Sequence, residues 1–395
     1  MNLQNIKLMG KTSSWLAKLP LRLMTASGNI DAREVRSSWK EEKTDILERA
    51  NWLCEEIIID PKRLVNKMPT VLGEEFQGQW AIYCCSMLAH ALANISNLYP
   101  DKASRCPELI AKLINIVNTN EIRKYDTIMW KEGAMESLSG KKSHMTYLSI
   151  LAWMISNYKL IGGDNRFDSI FSACCSTLNR RMIESKYDLN LLSFPGKQIF
   201  IPDMLVAIIA LKNYARLNNG TYQDTVEMWI NNAKTKWIHK GTGLLAGMLP
   251  GASRYQKGIV IRGSYSALNC SYLSLVDEDF AKEQAELLKK HLTKEASIFG
   301  VTLFGVKEYL KKEPKFAFKA GDAGLVIEGL SAGGTAFALG SSTYFEDWAL
   351  RYKFLRAAEL AGETILKDGK RHYKMGEIFM VGEATVLAMR TNIKR

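Results

Sequence analysis

Ser143-His144-Met145-Thr146-Tyr147 begins the stretch that decides the fold, and its reading continues to Arg216. Tyr147, Leu148, Leu151, Ile155 and Tyr158 recur at three- and four-residue spacing, the mark of one buried helical face. Gly162-Gly163-Asp164 then turns the chain, and a second amphipathic helix is expected over 167–182. The loop Ser193-Phe194-Pro195-Gly196-Lys197-Gln198-Ile199-Phe200-Ile201-Pro202-Asp203 opens into a third helix over 205–217. Polar and ionisable groups therefore collect where helices meet loops, as they do at the rim of a helical barrel.

The same periodicity extends outward. Trp80, Tyr83, Cys84, Met87, Leu88, Ala91, Leu92 and Ile95 follow it, and further helices are expected over 225–237, 264–275, 280–292, 348–365 and 377–389. Two stretches, 298–309 and 325–330, mix β-branched and aromatic residues with glycine, and 241–262 is too glycine-rich for a regular helix. These read as short β-hairpins or long loops crowding one rim. No low-complexity linker divides the chain and no fixed repeat is visible, so a single closed toroid of helix pairs is expected over 61–395, with 1–60 as an N-terminal extension.

At 395 residues, 47% hydrophobic and 24% charged, the composition is that of a folded globular protein rather than a disordered one. The net charge of +12 comes from basic residues interleaved with acids, as in Lys40-Glu41-Glu42-Lys43, which points to a solvated surface and away from nucleic acid. Seven cysteines, with adjacent pairs at Cys84-Cys85 and Cys174-Cys175, lack metal or disulfide spacing and read as reduced core residues. No HExxH, zinc-ligand or nucleotide-loop pattern occurs, so neither a metal nor a cofactor is expected. The segment 1–23 never assembles a continuous apolar run, so a cytoplasmic location is expected. Docking of that segment on a neighbouring subunit, or as the lesser alternative on a membrane surface, stays open.

Several side chains stand out for chemistry. His144, at a helix start, titrates near neutrality when unperturbed and suits general acid–base work, the plainer alternative being a cap or an ion pair. His90, mid-helix, reads as structural, and His239, His291 and His372 read as surface residues. Asp203 precedes an apolar run, where a carboxylate either caps the helix or faces a cavity as a base. Ser193 carries a hydroxyl with no partner legible in the sequence. Arg262 and Asp322 flank glycines that let backbone approach a ligand, though each also suits an ordinary turn or ion pair. Tyr265, Glu328 and Trp130 are lesser candidates of the same kind.

The order of the motifs Gln79-Trp80-Ala81-Ile82-Tyr83, Ala89-His90-Ala91-Leu92-Ala93, Ser143-His144-Met145-Thr146-Tyr147, Gly162-Gly163-Asp164-Asn165-Arg166-Phe167, Phe194-Pro195-Gly196-Lys197-Gln198, Arg262-Gly263-Ser264-Tyr265 and Gly321-Asp322-Ala323-Gly324 resembles that of the linalool dehydratase/isomerase family. The resemblance runs from about Gly73 to Ala338. It implies an all-α protein with an (α/α)6 barrel. It also implies a cavity in which a tyrosine and a histidine work with two loop cysteines and a carboxylate from a neighbouring subunit. The tyrosine falls on Tyr83 and the histidine on His144, while the cysteine positions read Ser193 and Pro202, the latter beside Asp203. Glu55, Glu56 and Asp60 lie near the distance expected for the acidic residue. The implied protein is a homo-oligomeric, cofactor-independent acid–base enzyme of the lyase/isomerase or cyclase type. Its substrate is a small or medium, terpenoid-like organic molecule, and Tyr83, His144 and Asp203 are its proton-transfer groups. The alternatives are a carbohydrate-active barrel, hydrolase or epimerase, with Asp203 and Asp322 as paired carboxylates, and a non-catalytic helical binding scaffold.

Overall fold

Helices that are apolar on every side must be enclosed on every side, and this chain has several. A computed structural model describes residues 39–70, 73–254, 257–298, 301–311 and 326–395. Among the described residues the protein is mostly helical, with fourteen α-helices and a few short strands. The clearest enclosed helix is Met145–Leu160, in which every residue from Met145 to Tyr158 is buried. Gln77–Leu98, Ile201–Leu217, Gly263–Leu273, Ala332–Tyr344 and Met380–Arg390 are enclosed in the same way along most of their length.

In chain order the helices are α1 (Trp39–Ile57), α2 (Pro61–Lys67), α3 (Gln77–Leu98), α4 (Cys106–Val117), α5 (Asn120–Trp130), α6 (Met145–Leu160) and α7 (Asp168–Ile183). There follow α8 (Ile201–Leu217), α9 (Gln223–Lys236), α10 (Gly263–Leu273), α11 (Glu278–Leu292), α12 (Ala332–Tyr344), α13 (Trp348–Gly362) and α14 (Met380–Arg390). The enclosed helices pack in sequence, α3 on α6, α6 on α8, α8 on α10, α10 on α12 and α12 on α14, and α14 packs back on α3. Amphipathic helices cover them: α4 lies on α3 and α6, α7 on α6 and α8, α9 on α8, α11 on α10, α13 on α12, and α1 on α3 and α14. In α4, for example, Ile110, Leu113, Ile114 and Val117 face inward while Glu108 and Lys112 are exposed.

Short strands gather where the chain enters the enclosed helices. β1 (Ile199–Phe200) runs straight into α8 and pairs antiparallel with β2 (Met248–Leu249). Between α11 and α12, β3 (Thr293–Ile298), β4 (Val301–Lys307), β5 (Val326–Ile327) and β6 (Leu330–Ser331) form an antiparallel sheet in the order β3-β4-β6-β5. This sheet sits against the N-terminal ends of α10 and α12. A Cβ on Gly263 would lie 1.8 Å from the Lys307 carbonyl oxygen, and the Val306 N–H donates to Thr335 Oγ1 at 3.1 Å.

Three expectations need correction or placing. The helix expected over 348–365 stops at Gly362, because Glu363 turns left-handed and β7 (Thr364–Lys367) pairs with β8 (Lys370–Tyr373) instead. His372, expected at the surface, is 1% exposed, with its ring stacked 4.2 Å from Trp52. Within 1–60, Trp39–Ile57 is α1, fastened to its own chain. Glu42 accepts from Arg351 Nη1 at 2.5 Å and from Arg390 Nε at 2.6 Å, and Arg49 Nη1 donates to Glu383 at 2.9 Å. Glu55 and Glu56 pair with Lys370 and Lys67, and Asp60 caps α2 by accepting from the Arg63 N–H. The segment 1–38 lies outside the described residues. Among the described residues no helix is long and apolar enough to cross a membrane.

Candidate functional site

Asp203 occupies the first turn of α8, two residues past its start, so its carboxylate points out of the helix rather than capping it; Phe200 holds the cap position without a side-chain bond. Negative charge in a first turn is favoured by the unpaired backbone N–H groups there. The carboxylate meets the second turn of α3 and the first turn of α6. Tyr83 of α3 donates its hydroxyl to Asp203 Oδ1 at 3.3 Å, and Thr146 of α6 donates to Oδ2 at 3.2 Å. Gln79, one turn before Tyr83, donates to the phenol oxygen at 3.5 Å. Tyr83 and Asp203 are both half-buried. Burial first, and then the Asp203 charge, raises the Tyr83 phenol well above its ordinary value, so it is a neutral hydrogen-bond donor.

Two further tyrosines feel Asp203. Tyr125 of α5 is 3% exposed, and its hydroxyl has no hydrogen-bond partner among the described residues. Burial, then the charges of Asp126, Tyr83, Tyr147 and Asp203, keep that phenol protonated. Tyr272 of α10 is held protonated by burial and by Asp203 alone. A buried hydroxyl without a partner loses its hydration with nothing in return, which is tolerated where a ligand is to supply the missing bond.

His144 is hydrogen-bonded to Asp126, the residue that follows Tyr125 in α5. Its backbone is left-handed, at φ 45°, and its side chain is 0% exposed. Nδ1 lies 2.6 Å from Asp126 Oδ2, while Nε2 lies 3.3 Å from both Glu132 Oε1 and Ser137 Oγ. Trp130 packs its ring 5.4 Å from the imidazole. Arg181, with Nη1 2.9 Å from the Ser143 carbonyl, ties the same connection to α7. A left-handed, non-glycine residue held by this many contacts is over-determined by its surroundings. The ring's bonds go to Asp126, Glu132 and Ser137, so Tyr83 and Asp203 come together directly and His144 forms a second cluster linked through Tyr125.

The remaining candidates separate by element. Ser193, in the loop before β1, is 2% exposed, and its hydroxyl has no hydrogen-bond partner among the described residues. Phe194 of that loop meets Phe76 and Phe200 edge-on at 6.2 and 6.1 Å, and Phe200 meets Tyr265 at 5.8 Å. With Trp80 beside Tyr83 at 6.4 Å, these rings make an aromatic border around the entry to α8. Arg262 is committed elsewhere: Nε donates to the fully buried Glu308 at 2.6 Å, and its guanidinium lies 4.8 Å over the Tyr265 ring. Glu328 and Gly329, at φ 50° and 76°, turn the two-residue connection between β5 and β6, a conformation of the I′ kind, and the Glu328 carbonyl accepts from Lys294. Asp322 lies outside the described residues. His90 is 1% exposed, with burial and then Arg395 lowering its pKa to about 3, which fits a structural imidazole.

Thr146, Tyr125, Tyr272, Asp126 and Glu308 were not singled out by sequence reasoning. A signal existed for two of them, since Ile122, Tyr125 and Asp126 recur at helical spacing on the buried side of α5. No protein-family model matches the chain, and no curated protein is significantly similar to it.

Proposed function

We propose that the six enclosed helices are the inner ring of an (α/α)6 barrel and that the chain is an acid–base enzyme of the lyase/isomerase type, as the resemblance to the linalool dehydratase/isomerase family implies. The cyclic packing order α3-α6-α8-α10-α12-α14 supports the barrel. The observation that carries the chemistry is the Tyr83–Asp203 hydrogen bond, a neutral phenol against a carboxylate, bordered by aromatic rings and by the unpartnered Tyr125 hydroxyl. In an elimination of water, Tyr83 gives its proton to the departing hydroxyl oxygen as the C–O bond breaks. Asp203 removes the proton from the adjacent carbon as the double bond forms, and transfer from Asp203 to Tyr83 across their 3.3 Å contact restores both groups. Thr146 holds the carboxylate, Tyr125 donates to the substrate oxygen, and the border rings stabilise positive charge developing on carbon. His144 and Asp126 position Tyr125 and the α5–α6 connection.

The substrate class that suits these groups is a small or medium, largely apolar alcohol of terpenoid type. Crystals soaked with a panel of allylic and tertiary alcohols test this reading. A bound hydroxyl within about 2.6–3.2 Å of the Tyr83 or Asp203 oxygens is the expected result. Ligand density only outside this site, or a site closed to every alcohol in the panel, would refute it.

A further inference from the structure

A cleft of about 190 Å³ opens at the end of α8 remote from Asp203. Lys212 and Arg216 line it, ~14–20 Å further along the helix than Asp203 at the helical rise. Asn157 of α6, Ser274 just beyond α10, Tyr344 at the end of α12 and Arg395 also line it. The cleft therefore lies among the C-terminal ends of the enclosed helices.

The groups facing it are rich in donors. Arg395 reaches in and donates Nη1 to Asn157 Oδ1 at 2.9 Å and Nη2 to His90 Nδ1 at 2.6 Å; His90 Nε2 in turn meets Asn392 Oδ1 at 3.0 Å, which fits a neutral ring protonated on Nε2. Arg395 thus holds its positive charge against a neutral network. Asn157 is 1% exposed, and with its oxygen engaged its Nδ2 group has no hydrogen-bond partner among the described residues. The Arg216 side chain makes no hydrogen bond or ion pair with any described residue; burial first, and then the Arg216 charge, disfavours the charged form of Arg395, and at Lys212 burial does the same, with Asp277 opposing it and Arg216 adding to it. Glu278, the acid lining the cleft, is paired with Lys394.

Cations at helix C-termini often serve only the free carbonyls there, and Lys212 does so, donating to the Val276 carbonyl at 2.7 Å. That role explains neither the unpartnered buried amide of Asn157 nor the crowding of Arg216 on Arg395. An acceptor-only, negatively charged ligand satisfies both. We propose that this cleft binds a small phosphate-bearing anion, held by Arg216, Arg395, Lys212 and the Asn157 amide. Two guanidinium groups suit the several oxygens of a phosphate better than a single carboxylate does.

Calorimetric titration of the full chain with inorganic phosphate and with glycerol phosphate, against sodium chloride at matched ionic strength, tests the proposal. Saturable binding of a phosphate species is expected, weakened about tenfold or more in Arg216→Gln, an exposed position whose replacement leaves the fold intact. Asn157→Asp, which turns a donor into a negative charge, is expected to abolish binding. Tighter binding of glycerol phosphate identifies a phosphomonoester as the ligand, and equal or weaker binding identifies the free ion. Heats no different from those of chloride for both species, or undiminished affinity in Arg216→Gln, would overturn the proposal.

Discussion

Replacing Glu42 by Gln is the sharpest test of how the chain closes on itself. Glu42 on α1 is 5% exposed and binds Arg351 of α13 and Arg390 of α14, so it joins the first described helix to the last two. Burial alone would raise its pKa. The Arg351 hydrogen bond and the Arg390 charge outweigh burial and bring it from 4.5 down to about 2. By proton linkage that depression corresponds to about 3 kcal/mol of folding free energy. Because the folded pKa is the lower one, this stability is complete above pH 4.5 and is lost as the pH falls from 4.5 through 2. The neutral amide also removes the carboxylate charge that Arg351 and Arg390 share, and breaking a buried pair typically costs about 3–5 kcal/mol. Urea unfolding at pH 7 is therefore expected to show Glu42→Gln about 3 kcal/mol less stable than the parent, with the gap narrowing by about 2 kcal/mol at pH 3. A gap below about 1 kcal/mol at pH 7, or one that does not change with pH, would refute the role of Glu42 in fastening α1 to α13 and α14.

Gly263→Ala places a methyl group against the Lys307 carbonyl and is expected to cost about 3 kcal/mol or more, since a backbone atom cannot move aside as a side chain can; a melting temperature equal to the parent's would contradict the seating of β4 on α10. Thiol-reagent titration of the native protein is expected to label Cys54 at most, and slowly. Burial pushes that thiol up to about 12 and encloses Cys84, Cys85, Cys106, Cys174, Cys175 and Cys270, whereas the urea-unfolded chain is expected to release all seven; rapid native labelling of more than one thiol would contradict this packing.

The enclosed helices were legible as helices from one face, as in the spacing of Tyr147, Leu148, Leu151, Ile155 and Tyr158, but their burial on every side was not, because Thr146, Ser149, Ser156 and Asn157 read as a polar face in sequence and are buried all the same. Their starts were less legible. The third helix of the opening stretch was expected from 205 and begins at Ile201, because Pro202 is accommodated in a first turn, where no N–H is needed. That shift of one turn moves Asp203 from a capping position to one that projects toward Tyr83. The β7–β8 hairpin had a local signal in Asp368-Gly369, whose φ values of 51° and 72° make the tight turn, but the helical pattern before it masked the change of period. The burial of His372 had no such signal, since Lys370, Arg371 and Lys374 surround it in sequence while Trp52, which stacks on it, lies far away in the chain. The same holds for the candidate site. The residue types at His144 and Asp203, and the resemblance at Tyr83, made these three the candidates for acid–base work, but the pairing of His144 with Asp126 and of Asp203 with Tyr83 depends on how separate helices meet.

Turnover of allylic and tertiary alcohols by the parent protein, Asp203→Asn and Tyr83→Phe, followed by mass spectrometry in deuterated water, tests the central claim most directly. The parent is expected to form a product lighter by one water, or an isomer carrying solvent deuterium. Each variant is expected to be about 10²–10⁴-fold slower at an unchanged melting temperature, the usual effect of removing a positioned acid or base. A parent protein inert toward every alcohol, or variants that turn over as fast as the parent, would contradict the assignment of Tyr83 and Asp203 as the proton-transfer pair.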